Sequence, residues 1–320
     1  MLHRGRRLAG WLLLLSLTGF TLALAWGGDP PALASLPGVQ PLTWDLIAEL
    51  RLPRALSAWA VGGLLALAGL LMQILLRNPL GDPYLFGVSG GATLAVLVAT
   101  LAGLPATGIT GSAWLGALAS LLALVLLSRV PGRPWSPNRM LLTGVVLAFG
   151  WSALVSLVLT LAPAARLPGI LFWLLGDLSD ADMPALPLVL LALGSLVAWS
   201  LARPLDLLQQ GEDQAAVLGV AVEPLRRSLF FLGALLTAAA VSTGGSIGFV
   251  GLVVPHLTRR IAGASHRWLV PNSVLLGGGL LLLADTLAKI LIAPRQLPVG
   301  ILTALLGVPW FLWLLTRKTP

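Results

Sequence analysis

Ten apolar stretches run through this chain, at 8–26, 51–76, 86–103, 110–129, 138–162, 184–202, 224–243, 250–262, 268–292 and 298–315. A hydrocarbon core of about 30 Å is crossed by about 20 apolar residues in a helix rising 1.5 Å per residue. Backbone in lipid has no water to bond, so a spanning segment must satisfy its own N–H and C=O groups. The pattern therefore predicts an all-α polytopic membrane protein, one transmembrane domain over residues 1–320 with ten crossing helices. Composition agrees. The chain is 57% hydrophobic and 10% charged, where soluble domains carry about 25% charged residues. The first stretch follows His3, Arg4, Arg6 and Arg7, and Ala23–Ala25 stands where a signal peptide would be cut. We read it as a retained first helix, with cleavage as the alternative. Cysteine is absent, which excludes disulfides, a thiolate nucleophile and a cysteine metal site.

The net charge of +8 does not point to nucleic acid, because the cations gather in short loops between apolar runs. With the N-terminus inside, fifteen of the twenty Lys and Arg fall on the inner side, among them Arg77, Arg133, Arg226, Arg259, Arg317 and Lys318. The outer side holds Arg51, Arg54, Arg166, Arg295 and Lys289, with Asp29, Asp45, Glu49, Asp177, Asp180 and Asp182. Positive charge stays cytoplasmic, so both termini are expected there. The stretch at 250–262 is too short to span alone. The run Gly244-Gly245-Ser246-Ile247-Gly248 before it reads as backbone dipping into the bundle from the outer side, which is tolerated where protein covers it. Short helices at 168–175 and 211–219 are expected not to cross.

The longest inner polar interruption is Arg203–Arg227. Glu212 and Asp213 favour the positive end of a helix dipole, and Gly219 can close the helix in a left-handed conformation. Between them lie Ala215, Ala216, Val217 and Leu218. A helix of about nine residues needs something to pack against. It either docks into another protein or rests on its own bundle.

Little here reads as catalysis. There is no phosphate-binding P-loop with its glycines and lysine, so ATP hydrolysis is not expected of this chain. His3, His256 and His266 are too scattered for a metal site. Asp285 is the clearest intramembrane charge, and Lys289 lies one helical turn on as its expected partner. The segment Arg77-Asn78-Pro79-Leu80-Gly81-Asp82-Pro83 reads as a tight inner turn with two backbone-fixing prolines. Gly87, Gly90 and Gly91 then open the next helix with residues suited to close packing.

Asn78-Pro79-Leu80 followed by GVSGGA, then GEDQAAVLGV, GFVGLVVPH, LLLADTLAK and LPVGILTALLGVPW occur in a fixed order. Together they resemble the permease subunits of type II ABC importers, which take up vitamin B12, ferric siderophores or haem. The resemblance covers nearly all of the chain beyond residue 50. It implies a homodimer with ten helices per subunit in a bacterial inner (cytoplasmic) membrane, with its pathway along the dimer axis. Two ATP-binding cassette ATPase subunits would bind inside and hold the ATP and Mg, leaving this chain without a cofactor. A periplasmic or lipoprotein binding protein would deliver substrate outside. The region 205–222, with Gly211, Glu212, Asp213, Ala215, Ala216, Leu218 and Gly219, would be the coupling element. Asn78 and Leu80, with Ser136 and Pro137, resemble the cytosolic gate, although Pro137 stands where a polar residue is expected. Thr143, Ser152, Ser156 and Thr160 on the fifth helix would line the path. Arg51, Arg54 and Arg295 would meet glutamates of the binding protein, or else lipid headgroups.

Two rival readings stand beside this one. A proton-driven secondary transporter would use Asp285 as carrier, and an intramembrane enzyme would use His256 and Asp285. The uncharged fifth helix fits cobalamin, haem or a siderophore equally.

Overall fold

The structure, a computed structural model, describes residues 2–25, 44–130, 136–179, 181, 183–293 and 295–316. Asp29, Arg133, Asp180, Asp182, Arg317 and Lys318, assigned to sides above, lie outside the described residues. Among the described residues, thirteen α-helices of more than one turn follow in order: α1 Leu2–Ala25, α2 Leu52–Leu76, α3 Val88–Leu101, α4 Ala106–Ser128, α5 Pro137–Leu161, α6 Leu167–Leu174 and α7 Ala185–Ser200; then α8 Ala202–Gln210, α9 Glu212–Val217, α10 Val222–Gly244, α11 Val250–Ala262, α12 His266–Ile290 and α13 Val299–Thr316.

The bundle is organised around α2. Its sequence is apolar or small on every side, and a helix of that kind belongs in the middle of a bundle. From Ala60 to Leu75 each residue is buried. It packs most extensively on α12 and α10, and further on α11 and α7. Glycines make the approach close. A Cβ on Gly62 would stand 2.8 Å from the Gly277 carbonyl carbon and from the Leu281 Cβ. Gly91 faces the Gly116 carbonyl on α4, and Gly90 faces Trp151 on α5. These contacts follow the small-residue rule for membrane helices, where van der Waals packing holds the helices together.

All ten apolar stretches carry a helix. Among the described residues, six helical segments are long and apolar enough to cross a membrane by length and composition, and seven if α7 and α8 form one span bent by 58°. The remaining three, α3, α11 and α13, fall short of that criterion or owe part of their path to irregular backbone. α3 follows a 3-10 turn at Pro83–Phe86, and α11 follows the non-helical run after Gly244.

The structure departs from the sequence reading in the interruption between α7 and α10. The region expected as the coupling element, at about 205–222, holds parts of two helices broken at Gly211, whose φ is 149°. The second, α9, has six residues, shorter than the nine expected. The first, α8, was not anticipated. Pro204 sits in its first turn, where a missing N–H costs nothing. Ala202, Leu205 and Leu208 face inward at helical spacing.

Candidate functional site

One end of the bundle gathers the loops assigned above to the inner side. Asp206 on α8 accepts the backbone N–H of His266 at 2.8 Å and meets its ring Nδ1 at 2.6 Å, so it caps α12 from a neighbouring helix. Asn272 on α12 donates to the Gly5 carbonyl at 3.2 Å, tying α1 to the same end. Trp199 at the end of α7 donates to the Arg267 carbonyl.

α9 is pinned at its first residue. Glu212 receives Arg77 at 3.1 Å and Arg226 at 2.9 Å, one from the end of α2 and one from α10. Carboxylates at Glu212 and Asp213 also face the positive end of the α9 dipole. Gly219 closes the other end at φ 84°, with its N–H on the Ala216 carbonyl and the Val220 N–H on the Ala215 carbonyl. Ala215 points into the bundle, while Ala216 is exposed and Val217 and Leu218 are 87% and 62% exposed. The element is thus a short helix held by its charged end, presenting an apolar face outward.

The turn after α2 is built as its prolines and Asx residues dictate. Arg77 takes a left-handed conformation at φ 47° and ends α2. Asn78 Oδ1 accepts the Leu80 N–H at 2.9 Å, and Asp82 Oδ1 accepts the Tyr84 N–H at 2.8 Å. Burial pushes the Asp82 carboxyl up to about 6, against the lowering effect of that Tyr84 N–H. Tyr84 reaches the irregular run before α11, where its hydroxyl meets the backbone N–H and C=O of Ile247. Gln73 donates from Nε2 to the Leu252 carbonyl at 3.1 Å. Tyr84 thus satisfies backbone that the Gly244–Gly248 run leaves without helix partners, and Gln73 serves the first turn of α11, where Pro255 has no N–H for the Gly251 carbonyl. Phe249, at φ 69°, turns that run into α11. A bulky residue there is strained, and it is held by packing against Gly307 on α13.

The two halves of the expected gate are not joined within the chain. Asn78 and Leu80 are exposed and Pro137 is buried in the first turn of α5. No hydrogen bond links either of them to Ser136 or Pro137 among the described residues. On α5, Ser156 and Thr160 donate to the carbonyls of Ser152 and Ser156, forming one polar ladder. Thr143 lies nine residues before Ser152, half a turn round the helix from it, so the four expected path residues do not share one face. α5 is otherwise bare: Leu142, Val146, Phe149, Leu157 and Leu161 are all more than half exposed.

At the opposite end, Asp285 has the expected partner and a second one. Lys289 reaches Oδ2 at 2.8 Å, and Arg54 grips the carboxylate with Nε and Nη2, the shorter contact being 2.8 Å. Asp285 is 1% exposed and the Arg54 side chain 13%. The expectation that Arg54 projects outward is therefore corrected: its fork closes on a buried acid and on Gln296. Arg51 donates to the carbonyls of Leu24 and Ala25, and Arg166 to those of Thr100 and Leu101. Both arginines cap helix C-termini, where a cation suits the dipole. Arg295 is exposed. No group of three or more His, Cys, Asp or Glu able to hold a metal occurs among the described residues.

Comparisons with known proteins give this arrangement a family. The profile of the FecCD transport family matches residues 11–317. The Fe(3+) dicitrate transport system permease protein FecD of Escherichia coli (strain K12) is 41% identical over 276 residues, 85% of this chain and 85% of that protein. The hemin transport system permease protein HmuU of Yersinia pestis is 41% identical over 281 residues, 86% of this chain and 84% of that protein. A solved structure of a metal-chelate type ABC transporter, in an inward-facing conformation, aligns with a TM-score of 0.85 at 33% identity, over 98% of this chain and 100% of that one. A match that runs from within α1 to the end of α13 takes in every element described above, and this multi-pass membrane chain belongs to the FecCD transport family.

Proposed function

We propose that the chain is the membrane-spanning permease subunit of an ATP-driven importer for a metal chelate or corrinoid, acting in a bacterial cytoplasmic membrane with both termini inside. α9 is the observation that carries this reading. A six-residue helix clamped at Glu212 by Arg77 and Arg226, with Ala216, Val217 and Leu218 turned outward, suits a groove on a separate ATPase. A force on α9 would pass through Arg77 to the end of α2, the helix at the centre of the bundle.

In this reading α3, α11 and α13 complete ten crossings, aided by the irregular backbone ahead of α3 and α11. Two copies pack as a homodimer with the bare face of α5 turned to the shared axis, and Ser152, Ser156 and Thr160 line the path. Weak, uncharged polarity suits a bulky solute that must leave as easily as it enters. Asn78 and Leu80, with Ser136 and Pro137, form the inner gate only when the second copy is present. Two ATPase subunits supply ATP and Mg inside, and a binding protein delivers substrate outside. The engagement of Arg54 and Arg51 with their own chain leaves Arg295 as the freest of the three arginines for that contact.

The test is uptake into proteoliposomes containing the chain, its ATPase and its binding protein. Uptake of a ferric chelate, haem or cobalamin should require ATP and survive an ionophore. Uptake abolished by the ionophore and indifferent to ATP would replace this reading with a proton-coupled one.

A further inference from the structure

Among the described residues, two that are not glycine hold a positive φ, Phe249 and Arg77. Phe249 is held by packing against Gly307. Arg77 has no such cover: its side chain is 45% exposed. It stands at the junction between α2 and the turn that carries Asn78 and Leu80, with φ 47° and ψ 34°. The chain folds back there over the end of α2, with the Arg77 N–H on the Ile74 carbonyl and the Asn78 N–H on the Gln73 carbonyl. A residue with a Cβ is disfavoured in this conformation by about tenfold, a cost that glycine escapes. Such a conformation persists where its surroundings hold it, and it collects at moving parts.

The hold comes from α9. Glu212 Oε1 lies 3.1 Å from Arg77 Nη2, and its other oxygen meets Arg226 on α10 at 2.9 Å. One carboxylate therefore has two arms. The Arg226 arm returns to the helix that follows α9 in the chain, and it seats α9. The Arg77 arm crosses to the far end of α2 and meets the left-handed junction itself. Beyond that junction the turn is internally bonded. Asn78 Oδ1 accepts the Leu80 N–H and the Asn78 carbonyl accepts the Gly81 N–H, each at 2.9 Å. Rotation at Arg77 thus carries Asn78 and Leu80 as one piece.

We infer that Arg77 is a positioning residue for the inner turn: its ion pair with Glu212 holds the left-handed junction, so that displacement of α9 re-sets Asn78 and Leu80. The consequence for transport rests on the coupling role proposed above for α9, whereas the link between Glu212 and the turn does not. A half-exposed pair shifts an equilibrium by up to about fivefold, so it biases the turn without locking it. That strength suits a contact made and released in every cycle.

Two measurements test the inference. The first is amide hydrogen exchange on the full chain in detergent. Glu212→Gln leaves Arg77 in place and removes its counter-charge. Exchange over Asn78–Gly81 should then rise about threefold or more, although the substitution lies on another helix. The second uses proteoliposomes with the partner ATPase and binding protein. The probe is ferric dicitrate, haem or cobalamin, whichever wild-type vesicles accumulate. Uptake per ATP hydrolysed should fall about threefold or more in Arg77→Gly and return in large part in Arg77→Lys. Arg77→Gly should melt no lower than wild type, because relief of the left-handed strain offsets the lost pair. Arg77→Gln, which keeps the Cβ and loses the charge, serves if Arg77→Gly does not fold. Unchanged exchange over Asn78–Gly81 in folded Glu212→Gln, or wild-type uptake per ATP in the folded Arg77→Gly or Arg77→Gln, would overturn the inference and leave ATP-driven import standing. Wild-type uptake indifferent to ATP would overturn the coupling role of α9, and the exchange result would still decide the link between Glu212 and the turn.

Discussion

The hydroxyl of Tyr84 lies 3.1 Å from both the backbone nitrogen and the carbonyl oxygen of Ile247. One side chain thereby accepts and donates, closing the backbone of the glycine-rich run against the turn after α2. It is the only tyrosine in the chain. Tyr84→Phe keeps the ring and strands both Ile247 groups. An unmet buried donor or acceptor costs about 1–3 kcal/mol, so the variant should melt measurably earlier in detergent. A melting temperature equal to wild type would mean that water or another group serves Ile247 equally well.

Asp285 balances two cations, Arg54 and Lys289, at one end of α12. Asp285→Asn leaves both without their counter-charge. Breaking a buried pair from one side costs about 3–5 kcal/mol, and the loss should appear as a lower melting temperature and reduced yield of folded protein. If Asp285 carried protons instead, the variant would fold normally and lose only proton-driven transport.

Asp82 should make stability depend on pH with an unusual sign. Its folded value of about 6 lies above the ordinary 3.8, so the folded state holds the proton more tightly than the unfolded chain. The stabilisation is complete below about pH 4 and is lost as pH rises through about 6. Asp82→Asn keeps an acceptor for the Tyr84 N–H and removes the titration. The difference in melting temperature, variant minus wild type, should grow between pH 4 and 6.5. A difference independent of pH would contradict the burial of this carboxyl.

Gly62 tests the helix approach on which the bundle depends. A methyl group there would press on the Gly277 carbonyl and on Leu281. Gly62→Ala should destabilise by about 1–3 kcal/mol, the usual cost of overpacking a tight core. Gly10, whose Cβ would meet nothing, provides the control: Gly10→Ala should be neutral.

Much of this was legible beforehand because it depended on local pattern. Apolar length marked the positions of ten helices, the glycine run marked the irregular entry to α11, and the four-residue spacing paired Asp285 with Lys289. Arg54 was misread because its partner lies 231 residues away, and near a helix end the choice between solvent and bundle belongs to the neighbours. α8 was missed because its first half carries Arg203, Pro204 and Asp206, which read as a loop until Asp206 is seen to accept the His266 N–H at the start of α12. The clamp on Glu212 was hidden for the same reason, since Arg77 stands at the end of a helix remote in sequence. Helical phase did carry one warning that spacing by residue type overlooked: Thr143 and Ser152 are separated by two and a half turns.

The account stands on α9 being the part of this chain that an ATPase moves. Ala216→Arg puts a long cation on its exposed face without touching Glu212 or the buried Ala215. In proteoliposomes with the partner ATPase and binding protein, ATP-driven uptake should fall at least about tenfold, while the purified variant melts within a degree or so of wild type, as exposed substitutions do. Full ATP-driven uptake by the folded Ala216→Arg variant would contradict the account.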